Sequence, residues 1–293
     1  MDESLLTIIR IGLVGSVFAL KLAQALPFSV AQLVHVPRAG GHMLRSLVAM
    51  IVVVPLVTLA VILLVRPPEA TVIGLAIAAA SPAAPLTIMS AINAGGRPPY
   101  VLALHLSASL LAVITVPITL ELLGRALDFE SMVGSAAVAR QVALAVFVPT
   151  CLGIAIRWWW PALAERIVAP LTRVASLVLL VVLILVVVGS FRLLLAFDLR
   201  SYVAVVLMVA GGLAAGQLLG PPPRGDRTAL ALECASRNPG LAMLIASLSF
   251  PHASALHVLI PYLLAAVLTS TVYTHWRQRA GRRLGTGGVA HGS

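Results

Sequence analysis

The sequence predicts an all-α polytopic membrane protein, and three observations carry that prediction. Of its 293 residues 60% are hydrophobic and 10% charged, with a mean hydropathy of +1.05, whereas a soluble domain carries roughly 25% charged residues. The apolar residues gather into nine runs of about 20 residues, the length a helix needs to cross a bilayer. Two of those runs are interrupted by proline next to polar side chains, at Pro82 and Pro85 and at Pro239 and Gly240, the pattern of broken helices at a transport site. The expected architecture is nine transmembrane helices in inverted repeats with two broken crossing helices.

The runs lie at 5–26, 44–65, 69–94, 99–123, 138–159, 170–189, 202–219, 228–250 and 254–276. The first follows an acidic Met-Asp-Glu-Ser start, the wrong sign for a signal peptide, so it is expected to stay in the mature protein. Connections are short, so residues 1–276 are expected to form one domain, with a first repeat over about 5–124 and a second over about 138–276. Residues 277–293, with Arg277, Arg279, Arg282 and Arg283, are expected to be a disordered cytoplasmic tail. Alternation from that tail puts thirteen basic residues, Lys21 among them, on the cytoplasmic side and five outside, in line with the positive-inside rule. The N-terminus is then outside and the membrane a bacterial inner membrane. Trp158, Trp159, Trp160 and Trp276 fit an interfacial belt.

Other function classes find no support. The net charge of +10 comes without the aromatic and basic platform of a nucleic-acid binder, and basic loops account for it. Cys151 and Cys234 stand in apolar runs and read as packing residues rather than a disulfide or zinc site. There is no nucleophile elbow, metal-binding histidine pair or phosphate loop. No enzyme, cofactor or certain metal site is therefore expected; the partners are the lipid bilayer and a small molecule, with the oligomeric state open.

The polar set Glu233, Arg237 and Asn238 marks the candidate site. A charge at mid-membrane costs roughly 2.5–3.5 kcal/mol on insertion scales and ordinarily faces a partner or a cavity. Segment 81–91 can be laid on 236–246, matching Ser81 to Ser236, Leu86 to Leu241 and Ala91 to Ala246. The two segments lie five runs apart, which gives them opposite orientations, as inverted repeats require.

Glu233-Cys-Ala-Ser-Arg-Asn-Pro-Gly-Leu-Ala resembles the Glu-x-x-x-Gln-Asn-x-x-Leu-Ala signature of the second crossing helix in the bile acid:sodium symporter family, and Ser81-Pro-Ala-Ala-Pro-Leu-Thr-Ile resembles the first crossing. The resemblance implies a core domain, a panel domain and alternating access for an organic anion. It also implies two sodium sites, where this chain departs. Around the first, a Ser becomes Thr87, an Asn becomes Ile88, and a Ser/Thr pair becomes His105 and Ser109, while Glu233 is kept. At the second, Arg237 replaces a Gln and Met50 another, and a guanidinium has no acceptor to offer a cation. Arg237 is expected to stand in for that ion, paired with Glu233 at i and i+4. His105 offers a protonatable group near pH about 6.5, so sodium at Glu233, Thr87 and Ser109, a proton, or no coupling ion all remain open. Asn238 is expected to cap the second half-helix and to touch substrate. Pro82, Pro85, Pro239 and Gly240 make the breaks. A membrane sensor that kept the fold without transport is the alternative.

Overall fold

The computed structural model describes residues 3–28, 40–85, 87–129, 134–189, 197–250 and 255–285. Leu86 and His252, and the side chains of Arg10 and His257, lie outside the described residues. Apart from one isolated bridge, the regular structure is helical: α1 Glu3–Ala25, α2 Gly40–Val65, α3 Glu69–Ala80, α4 Thr87–Asn93, α5 Pro98–Leu127, α6 Ser135–Trp159, α7 Pro161–Gly189, α8 Leu199–Leu219, α9 Arg224–Ala235, α10 Pro239–Ser249 and α11 Ala255–Gly285. Among the described residues six helices are long and apolar enough to span a membrane, namely α2, α5, α6, α7, α8 and α11. Three more, within α1 and at α3 and α10, are apolar but shorter.

Proline decides where the helical ladder bends or stops. It brings no N–H and crowds the carbonyl four residues back. In α2 and α6 the ladder widens into a π turn, Ala49–Val53 and Ala143–Phe147, just ahead of Pro55 and Pro149. Such a turn absorbs the missing bond without ending the helix. Pro82, by contrast, follows Ser81, whose backbone has already gone extended, and α3 ends there. In the second interrupted run the chain leaves the helix at Ser236, and Pro239 opens α10 at a position where its missing N–H costs nothing.

The two breaks meet. Ala84 N–H donates to Ser236 O and Asn238 N–H to Pro82 O, both at 2.8 Å, forming an antiparallel bridge between Ala83 and Arg237. Backbone groups freed by each break are thus paired with those of the other, which a buried chain requires.

Around this crossing, α1 packs against α6 and α7, whereas α8 packs against α9, α2 and α11. The α8–α9 contact is glycine-built. A Cβ on Gly212 would lie 2.8 Å from Cys234 O, on Gly216 2.4 Å from Ala231 Cα, and on Gly220 2.7 Å from Arg227 Cα. Glycine every fourth residue lets two helix backbones approach, as in membrane helix pairs. At the start of α9, buried Asp226 accepts from the Arg97 backbone N–H at 2.8 Å and from its guanidinium at 2.6 and 2.7 Å, joining the loop before α5 to the second crossing.

Four expectations are corrected. Residues 277–285 are the helical end of α11, not a disordered tail, because Arg277-Gln-Arg-Ala contains good helix formers and no proline to stop propagation. The sixth helix begins at Pro161 rather than 170, with Pro170 inside it; Pro161 suits a first helical position. Lys21, assigned to a cytoplasmic loop, is a fully buried residue of α1. Trp158, Trp159 and Trp160 are exposed on the bundle surface, as an interfacial belt requires. Cys151 is exposed as well, so of the two cysteines Cys234 alone is a buried packing residue.

Candidate functional site

Glu233 lies in the last turn of α9, two residues before the helix stops, and is buried. Its Oε2 is 3.1 Å from His105 Nδ1. On the other side of the imidazole, Nε2 is 3.3 Å from the Nζ of Lys21, which also donates to Ser109 Oγ at 3.0 Å. His105 and Ser109 stand one turn apart on α5, so they face the same way. Lys21 comes from α1, about one turn short of its C-terminal end.

The chemistry of the donors orders this chain. An ammonium has three donors and no acceptor. His105 Nε2 must therefore accept from Lys21, which leaves the proton on Nδ1 to be donated to Glu233. A neutral imidazole thus relays between an ammonium and a carboxylate, and the three together carry no net charge. Glu233 Oε1 has no partner among the described residues.

Arg237 does not pair with Glu233, contrary to the expectation. The i, i+4 rule holds only along one helix, and α9 ends at Ala235 before Arg237 is reached. The break turns the side chain toward the other crossing. There Arg237 Nη2 donates at 2.7 Å to Ala79 O, a carbonyl in the last turn of α3 that the helix itself leaves unused. Its backbone N–H donates to the Tyr262 hydroxyl at 2.9 Å, and that hydroxyl donates to Ala235 O at 2.6 Å. Nε and Nη1 have no partner among the described residues. Arg237 lines a small cavity of about 10 Å³ with Pro82, Thr115 and Thr119, room for about one water.

Asn238 Oδ1 accepts from Leu241 N–H at 3.1 Å and caps α10, as expected, while its Nδ2 is unpartnered among the described residues. A Cβ on Gly240 would come within 2.7 Å of Val17, so that glycine lets α1 close on the break. Thr87 is buried at the start of α4 with its N–H on Ala84 O, and among the described residues it does not join the Lys21 cluster. Met50 is buried near Arg237, lining the same cavity.

Residues 16–214 match the model of the Sodium Bile acid symporter family. The chain belongs to that family. It is accordingly an integral membrane protein of a transporter family, not of an enzyme family. The matched part holds Lys21, Thr87, His105 and Ser109, while Glu233 and Arg237 lie beyond it. No curated protein matches the chain.

The structure brings His105, Ser109 and Glu233 together and sets Arg237 and Asn238 at the neighbouring break. Sequence reasoning missed Lys21. Its signal was available: a lysine inside an apolar run is costly for the same reason as Glu233, but near the end of the run it was counted with the basic residues of the cytoplasmic side.

Proposed function

We propose that this protein is a secondary transporter that moves a small organic anion across a bacterial cytoplasmic membrane by alternating access. The observation that carries the reading is Arg237, a buried guanidinium with two N–H groups unpartnered among the described residues, lining a cavity at the helix break. Counting the buried side chains at the crossing, Lys21 and Arg237 outnumber Glu233, which leaves one positive charge. A surplus charge in a dry interior is costly and favours binding of an opposite one. A carboxylate or sulfonate fits, since guanidinium N–H groups suit planar or multidentate oxyanions, and the N-terminal end of α10 beside it adds favourable dipole.

The cavity holds about one water, so an organic anion reaches Arg237 only when the surrounding helices part. Alternating access supplies that movement. At the second sodium position that the family resemblance implies, Arg237 offers donors only and occupies the Ala79 carbonyl, so this reading has no sodium there. Flux in this reading needs no second sodium, and a proton or plain exchange can serve in its place. The reading includes nine membrane crossings in two inverted repeats, with α3–α4 and α9–α10 each counted as one broken span, supported by the echo of 81–91 in 236–246.

The test is uptake of a labelled panel of organic carboxylates and sulfonates, with neutral amides of the same size as controls, into proteoliposomes. Anions accumulate and amides do not; Arg237→Gln lowers anion uptake at least about tenfold, the factor that 1.4 kcal/mol of lost binding gives. Equal uptake of amides, or unchanged uptake by Arg237→Gln, would sink the reading.

A further inference from the structure

We infer that the ammonium of Lys21 is a built-in cation that occupies the place a sodium ion would take beside Glu233, so that no sodium binds there. A buried sodium ion is held by oxygen ligands, and a carboxylate among them balances its charge. Of the buried carboxylates described, Asp226 is already held by Arg97, which leaves Glu233 as the candidate. Ser109 Oγ accepts from Lys21 Nζ at 3.0 Å, and the imidazole, between Lys21 and Glu233, accepts at 3.3 Å. His105 presents Nδ1–H to the carboxylate at 3.1 Å, a donor where a cation would need an acceptor. Ser109 Oγ, the imidazole and Glu233 Oε2 are therefore all engaged in hydrogen bonds within the chain, Glu233 Oε1 alone is without a partner among the described residues, and the ammonium supplies the positive charge a sodium ion would bring.

The cation arrives on a different helix from its partners. Lys21 belongs to α1, which packs on α6 and α7, whereas its partners lie on α5 and α9. The charge that a symporter must load from solution is here tethered to the chain on α1. This deepens the transporter reading, but its test needs no substrate and no flux.

Thermal unfolding of the purified full chain is followed in equal concentrations of sodium chloride and potassium chloride. The unaltered protein unfolds at the same temperature in both. Lys21→Ser removes the ammonium, leaves a hydroxyl, frees Ser109 Oγ and His105 Nε2 and leaves the charge of Glu233 unbalanced, and sodium then raises its unfolding temperature by about 3 °C or more over potassium. A second pair guards against a misfolded variant: Lys21→Met combined with Glu233→Gln unfolds at a higher temperature than either single change, because the double change leaves no lone buried charge. Sodium-specific stabilisation of the unaltered protein overturns the inference, as does a folded Lys21→Ser without a sodium shift, or a double variant no more stable than its parents.

Discussion

Glu233 is the residue on which the interior electrostatics turn. Its only partner among the described residues is His105, and through that ring it balances Lys21. Glu233→Gln therefore strands an ammonium in a dry interior, and removing one member of a buried pair costs about 3–5 kcal/mol. The expected result is a large drop in unfolding temperature, measured in detergent by intrinsic fluorescence, that is larger than for the exposed change Glu121→Gln. Asn238 separates structure from binding. Its Oδ1 caps α10 and its Nδ2 is unpartnered among the described residues. Asn238→Ala loses about 1 kcal/mol of stability with the cap. Asn238→Asp keeps the acceptor and places a negative charge beside the proposed anion site, so stability is held while anion uptake falls; equal uptake by both proteins would remove Asn238 from the site.

At the scale of the element, the second crossing is held in place by glycine rather than by side-chain interlock. Gly212 and Gly216 on one face of α8, with Gly220 just past its end, meet the backbone of α9, Cys234–Ala235 at its end included. A methyl group at Gly216 has nowhere to go, since the three nearest atoms are main-chain atoms of Leu230 and Ala231. Gly216→Ala is expected to destabilise by about 1–3 kcal/mol, the usual cost of overpacking. Gly15→Ala serves as the control, because nothing lies within 4 Å of the added carbon. A comparison of urea midpoints of the two variants checks this, and equal midpoints would mean that α8 and α9 are free to separate. The breaks themselves are held by two backbone hydrogen bonds across the bridge, so each crossing depends on the other for its geometry.

For the whole molecule, the helices form one group of α1, α6 and α7 and another in which α8 binds α9, α2 and α11. Lys21 ties α1 of the first group to His105 and Ser109 of α5. With Lys21 removed from the cytoplasmic tally, twelve basic residues remain on that side against five, so the bias on which the proposed orientation rests survives. A fluorescent protein that folds only in the cytoplasm is expected to light up when fused after Ser293. A periplasmic phosphatase fused ahead of Met1 behind its own export signal is expected to be active. The reverse pattern would invert the orientation and bring the basic end of α11 outside.

The sequence by itself determined the solvent this protein folds in, the places where two helices break, and the family. Those properties are local: hydropathy accumulates along a run, proline removes a hydrogen bond at its own position, and Ser81 and Ser236 precede the breaks they mark. Most of the candidate polar residues were also legible, because charge in an apolar run has a cost that can be read without coordinates. Their pairing was not. His105 lies 84 residues from Lys21 and 128 from Glu233, and no spacing rule spans such distances. The one pairing that spacing suggested, Glu233 with Arg237, fails because the helix that would align them ends between them. Only the packing of α1 against the crossing makes a lysine near the end of a helix a buried cation, since whether a long side chain snorkels or turns inward depends on what the neighbouring helices offer it. Here they offer a serine, a histidine and, behind them, a carboxylate.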